Sequence, residues 1–297
     1  MSHFLSPLFA QGFFTSSTVH TGLLVGAAVA IVAGPVGVFA VTRGQSFAAE
    51  ALSDVGATGA SAAFLIGVGP LWGFLAAGLL AAAAMELVGI QRPRGRDLAT
   101  GIVLGAALGL AALFLYLDTT QNTATGVAVS VLFGSLFAVD PSTVPVIIAL
   151  SVVSLALLMA LGRPLLLSSV NPDLAAARGV PVRLVGALYL VALALAVSLT
   201  ALTIGAILGT ALLIGPAATA LRLVKRPMIA VYVAAAVGLI ATWLAILLAY
   251  DSYDWPPRGH GWPVSFFVVA VVLAMYVLAG LPEWRQARRA KAAPARA

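Results

Sequence analysis

Apolar runs close to 20 residues long recur along nearly the whole chain, at residues 21–42, 46–67, 70–90, 98–117, 143–162, 184–203, 205–221, 228–249 and 263–281. A helix of about 20 apolar residues crosses a hydrocarbon core of roughly 30 Å, where each backbone amide must be satisfied within its own segment. One such run at one end would describe an anchored soluble protein. Nine in series predict an all-α polytopic membrane protein with about nine transmembrane helices. Composition agrees: 62% of the 297 residues are hydrophobic and 9% are charged, against roughly a quarter charged in soluble domains.

These runs divide the chain into an external N-terminal segment (1–20), a transmembrane domain (21–281) and a basic tail (282–297). The N-terminus, MSHFLSPLFAQGFF, has none of the basic residues that precede a signal-peptide apolar core, so it reads as retained. There is no cysteine, which excludes disulfides and thiolate metal ligands. The net charge of +6 raises the question of an anionic partner such as nucleic acid. The positions of the charges answer it. With the connector QRPRGRD (91–97) in the cytoplasm, all sixteen Lys and Arg residues except Arg258 fall on that side. This is the positive-inside signature of a membrane chain, not a nucleic-acid footprint. It places the N-terminus outside and the C-terminus in the cytoplasm. Arg258 lies in the external loop YDSYDWPPRGHGWP (250–263), whose Trp and Tyr residues suit an interfacial belt.

The segment GVAVSVLFGSLFAV (126–139) is apolar but too short for a span, and a full crossing there would invert the basic clusters downstream. It reads as a short external re-entrant or surface helix. The alternative is a tenth span offset by loss of another near 203–205. Gly101, Gly105 and Gly109 share one helix face, as do Gly205 and Gly209, a spacing that predicts close helix packing. Gly205 and Pro216 also predict weakened or kinked backbone in GAILGTALLIGP (205–216), where a translocation path could run.

No GxxxxGK[ST] phosphate loop, metalloprotease histidine pair or GxSxG elbow occurs, so the chain carries no ATP site of that kind and no hydrolase motif. The chemistry inside the membrane lies in EALSDVGATG (50–59). Glu50 and Asp54 are four residues apart and project from one helical face. Charges buried in hydrocarbon cost about 2.5–3.5 kcal/mol each or more, so these carboxylates should face a wet cavity, carry protons or bind a cation. A hard or borderline divalent ion could take both as oxygen ligands, with water or carbonyls completing its shell. A plainer reading is also open for Glu50 and Asp54, that both sit near the cytoplasmic end of the helix, where Glu50 simply favours the positive N-terminus.

The second informative stretch is SSVNPDLAAARGVPVRL (168–184). Asn171 reads as an N-cap, Pro172 as the first helical residue and Asp173 as a first-turn acid; Gly179 ends the helix and Pro181 blocks its continuation. A short helix between two spans on the cytoplasmic face is either a docking knob for a cytoplasmic partner or an ordinary connector. On the external side, Asp251, Asp254 and His260 could form an anionic mouth for cations, contact a partner, or simply be solvated.

Taken in order, RGQSFAAEALSDVGATG (43–59), LFGSLFAVD (132–140), SVNPDLAAARGVPV (169–182), ILGTALLIGPAATALRL (207–223) and the loop ending GHGWPVSFFVV resemble the permease subunits of ATP-binding cassette importers for zinc, manganese and iron, the ABC-3 family. The resemblance spans about residues 20–281. It implies a fold similar to the vitamin B12 importer permease, a homodimer of permeases in membrane lipid, a cytoplasmic ATPase dimer that binds the ATP, and an external solute-binding protein that delivers the metal. The chain itself would be a transport subunit of a bacterial inner or plasma membrane with no ATPase site and no cofactor beyond the transported ion. The resemblance also implies that Asn171, Pro172, Asp173, Leu174, Ala175, Ala176, Arg178 and Gly179 form the helix that couples to the ATPase, with Asn171 where the family has aspartate. Glu50 and Asp54 stand where relatives carry Asp and His on the metal path. A carboxylate in place of the imidazole shifts preference toward harder ions, manganese or iron(II) over zinc. Two other readings stay open: import of a metal chelate or vitamin by the related fold, and an ion-coupled secondary carrier using Glu50 and Asp54.

Overall fold

The structure is a computed structural model that describes residues 13, 16–88, 96–121, 126–134, 136–255 and 261–292. Eleven α-helices follow in order among the described residues: α1 (Ser17–Thr42), α2 (Ser46–Leu65), α3 (Pro70–Val88), α4 (Arg96–Gln121), α5 (Val127–Phe133), α6 (Val144–Val170), α7 (Pro172–Ala177), α8 (Val182–Ile204), α9 (Ala206–Leu223), α10 (Pro227–Asp251) and α11 (Val264–Ala292). No strand occurs among these residues, and the protein is an all-α polytopic membrane protein.

Each of the nine apolar runs is a helix, but a count of nine spans is not established. Seven described helices are long and apolar enough to cross a membrane: α1, α3, α6, α8, α9, α10 and α11. In α4 the apolar stretch among the described residues is Leu104–Thr120. α2 is diluted by Glu50, Ser53, Asp54, Thr58 and Ser61. It tolerates them because α3 and α4 pack against it, with α8 and α9 also touching it, so little of it needs to face lipid. The short apolar segment at 126–139 forms the seven-residue α5 followed by 3-10 turns at Leu136–Ala138 and Pro141–Thr143.

α1 and α8 form the middle of the bundle; 72% and 78% of their apolar windows are buried, against 28% for α6 and α11 at the edge. Hydroxyl groups tie α8 to its neighbours. Tyr189 donates to the Val36 carbonyl of α1 (3.2 Å), Ser198 to the Phe74 carbonyl of α3 (3.0 Å), and the α6 residue Ser154 donates to the Ala192 carbonyl (2.9 Å). Where lipid is as apolar as the side chains, such interhelical bonds and close packing replace the hydrophobic drive between helices.

The predicted packing face Gly101, Gly105 and Gly109 meets nothing within this chain: a side chain added at any of the three would find no described residue within 4 Å. α4 turns Ala107, Ala111 and Leu115 inward instead. The close approaches fall at Gly59 against Gly73, joining α2 to α3, and at Gly37 against the Leu213 carbonyl, joining α1 to α9. The second predicted pair does pack, since Gly209 lies against the Thr200 backbone.

α9 runs unbroken through Pro216, and the irregular backbone sits at Gly205, the only residue between α8 and α9. Its φ of 104° is closed to ordinary side chains, and a Cβ there would strike the Leu132 carbonyl. Gly134, with φ 73°, abuts Gly205 from the end of α5. Gly205→Ala is therefore expected to destabilise the protein by about 3 kcal/mol or more, whereas Gly105→Ala on the open α4 face should be neutral or slightly stabilising. Melting temperatures of the two purified variants in detergent check this contrast.

Candidate functional site

α2 begins after a tight corner in which Gly44 takes φ 64° and the Gln45 amide donates to the Ala40 carbonyl (2.8 Å). Glu50, one turn in, is half-buried, and Asp54, two turns in, is only 7% exposed. Two hydrogen bonds fix the rotation of α2 about its axis. The Ser53 hydroxyl donates to the Ala206 carbonyl at the start of α9 (2.8 Å), and the Thr58 hydroxyl donates to the Ala107 carbonyl of α4 (2.7 Å). At about 3.6 residues per turn, Glu50 and Asp54 fall on the arc between these two anchors. Both carboxylates are thus aimed into the seam between α4 and the α8–α9 hairpin, close to the Gly205 break.

Neither carboxylate has a hydrogen-bond or ion-pair partner among the described residues, and no group of three His, Cys, Asp or Glu gathers there to enclose a metal. The arrangement offers oxygen ligands of full negative charge without a closed cage. That suits transient contact with a hard cation better than permanent storage.

The 171–179 segment has the expected form. The Asn171 side-chain oxygen accepts the Leu174 amide (2.9 Å), Pro172 occupies the first turn of α7, and Gly179 takes φ 80° as its amide donates to Ala176 (2.9 Å). Asn171, Pro172, Asp173, Leu174, Ala176, Arg178 and Gly179 are all exposed; Ala175 alone is buried and pins the helix to the bundle. Leu174 is 44% exposed and the preceding Val170 is 79% exposed. The result is a projecting knob with an apolar tip, at the end of the bundle that also carries Arg43, Arg178 and Arg183.

At the other end, Asp254 lines a cavity of about 750 Å³ walled by Tyr250, Tyr253, Trp262, Phe133 and Phe137. Asp251 is half-buried and does not line it, and His260 lies outside the described residues. Asp140, exposed, accepts the Ser142 amide (2.8 Å), and that bond holds its carboxyl below the usual carboxylate range. It caps a turn.

Sequence reasoning missed the residues that orient α2. Ser53 and Thr58 lie in the stretch that carries the carboxylates, yet nothing local marks their hydroxyls as reaching α9 and α4. It also passed over Arg43 as one more basic residue at a helix end.

Residues 15–279 match the ABC 3 transport family. Over 244 residues, 82% of this chain and 85% of the relative, the sequence is 31% identical to the manganese import system permease protein ScaB of Streptococcus parasanguinis. It is 27% identical over 205 residues, 69% of this chain and 77% of the relative, to the high-affinity zinc uptake system membrane protein ZnuB of Haemophilus influenzae. The solved structure of PsaBC from Streptococcus pneumoniae in complex with Fab superposes with a TM-score of 0.76 at 26% identity, covering 91% of this chain and 93% of that one. With an all-helical polytopic fold and a family match across nearly its whole length, the chain belongs to the ABC 3 transport family.

Proposed function

We propose that this chain is the permease subunit of an ATP-driven importer for divalent metal ions, with manganese as its first candidate. The observation that carries the reading is the Glu50–Asp54 pair, buried or half-buried on α2 without partners and aimed into a seam of the bundle, in a family whose relatives are named for manganese and zinc import. Two hard oxygen donors and no cysteine favour manganese or iron(II) over zinc. Residues 21–281 form the transporting domain and 282–297 a basic tail. In this reading the basic end of the bundle faces the cytoplasm, so that the N-terminus lies outside and the C-terminus inside a bacterial inner or plasma membrane.

The projecting α7 knob docks a separate cassette ATPase, which binds and hydrolyses the ATP, and two copies of the permease pair in the assembled importer. An external binding protein delivers the ion at the opposite end, where Asp251 and Asp254 supply negative charge or, with His260, contact with that protein. The ion then passes between helices, and Glu50 and Asp54 replace part of its water shell. The test is ATP hydrolysis by the assembled complex in lipid vesicles with its binding protein. Hydrolysis is expected to rise with manganese and less with zinc. Equal responses to manganese, iron(II) and zinc would remove the preference for hard ions, and no response to any divalent ion would overturn the substrate class.

A further inference from the structure

Arg43 ends α1, three residues before α2 begins, and its side chain reaches across the basic end of the bundle. One terminal nitrogen donates to the hydroxyls of both Ser168 and Ser169 (3.2 Å each) in the last turn of α6. The guanidinium carbon lies 5.4 Å from the ring centre of Tyr189 in α8, a cation–π distance. Tyr189 is itself fully buried and bonded back to Val36 of α1. Glu86 of α3 stands close enough for its negative charge to act on the same guanidinium.

The position of these partners gives the contact its meaning. Ser168 and Ser169 lie just before the α7 knob, and α8, which carries Tyr189, leaves it. One side chain therefore grips both helices that flank the knob and roots them at the corner leading into the carboxylate-bearing α2. The corner also holds two unsatisfied buried groups of opposite kind, the Arg43 Nε donor and the side-chain oxygen of Gln45, which is 4% exposed. A corner with every polar group paired would resist rearrangement, because breaking any bond there costs desolvation of the freed group. Here Arg43 Nε and the Gln45 oxygen have no hydrogen-bond partner among the described residues, so the corner is held by fewer bonds than its polar groups could make.

We propose that Arg43 is a positioning residue for transport, transmitting displacement of the α7 knob to the α1–α2 corner and so to Glu50 and Asp54. This rests on the reading of α7 as the ATPase-docking segment. Lysine is a poor replacement for arginine here, since a compact ammonium at the two hydroxyls does not also lay a planar guanidinium against the Tyr189 ring.

The test uses the complete complex of permease, cassette ATPase and external binding protein in lipid vesicles, and measures manganese(II) transported per ATP hydrolysed. Arg43→Lys and Arg43→Met are expected to assemble and to hydrolyse ATP, while the ratio falls roughly tenfold, within the usual range of coupling between sites. The double variant Ser168→Ala with Ser169→Ala removes the acceptors and leaves Arg43 in place; it should lower the ratio in the same direction and decides the matter if the Arg43 variants do not assemble. An unchanged ratio, or uptake and hydrolysis falling in equal proportion, would overturn the inference. If the wild-type complex itself shows no ATP-dependent uptake, it is the proposed function that fails.

Discussion

Asp54→Asn is expected to lower divalent-metal uptake on the order of 10- to 100-fold, the usual consequence of losing 1.5–3 kcal/mol of charged interaction, without loss of protein from the membrane. The two effects separate because the substitution is nearly isosteric and removes a charge that the fold has no partner for. Asp54 is 7% exposed and one turn from Glu50, so the native arrangement holds two anions together in a poorly solvated seam. Such a pair costs stability when empty and gains it only when a cation stands between the charges. Taking one carboxylate away should leave the melting temperature unchanged or raise it, while the passing ion loses a ligand. Asp140→Asn is the control: its carboxylate is exposed and engaged with Ser142, and uptake should not change. Uptake and stability of both variants, measured in the same vesicles, check the argument. Normal uptake by Asp54→Asn would return that residue to a purely structural role.

The second large effect is expected at the α7 knob. Leu174→Glu places a charge on an apolar side chain that is 44% exposed at the tip of α7, so folding should be little affected while docking of the ATPase is lost. Truncating or charging a central apolar anchor costs about 2–4 kcal/mol in a protein interface, on the order of 30-fold or more in affinity. Co-purified ATPase should fall to background, and ATP-dependent uptake with it. Deleting residues 171–179 should have the same result, but the point variant is cleaner because Asn171, Ala175 and Gly179 also shape the corner between α6 and α8. An ATPase that still co-purifies in stoichiometric amount with Leu174→Glu would place docking elsewhere.

Local punctuation was legible in the sequence. The α7 helix was readable from Asn171, Pro172 and Gly179 because capping and termination are decided within a few residues. The helices were readable for the same reason, each apolar run being a self-contained hydrogen-bonding unit. What depends on neighbours was not. The Gly101, Gly105 and Gly109 stripe has the same spacing as a packed one, yet within this chain α4 buries Ala107, Ala111 and Leu115 instead. The sequence placed backbone irregularity equally at Gly205 and Pro216, and only the fold shows that Gly205 bears it, pressed against Gly134. The Glu50–Asp54 pair was visible as a charge anomaly, whereas its aim depends on Ser53 and Thr58 reaching carbonyls 153 and 49 residues away. Arg43 finds its serines 125 and 126 residues along the chain, a relation no local pattern encodes.

The central claim is that this chain moves a divalent metal ion inward at the expense of ATP hydrolysed by a separate subunit. Manganese(II) accumulation in sealed vesicles containing the permease, its cassette ATPase and its external binding protein tests this most directly, with ATP supplied on the ATPase side. Accumulation that needs both ATP and the binding protein, and is lost with Asp54→Asn, is the predicted result. Accumulation driven by a proton or sodium gradient without ATP would contradict the account and make the same two carboxylates the coupling site of a secondary carrier.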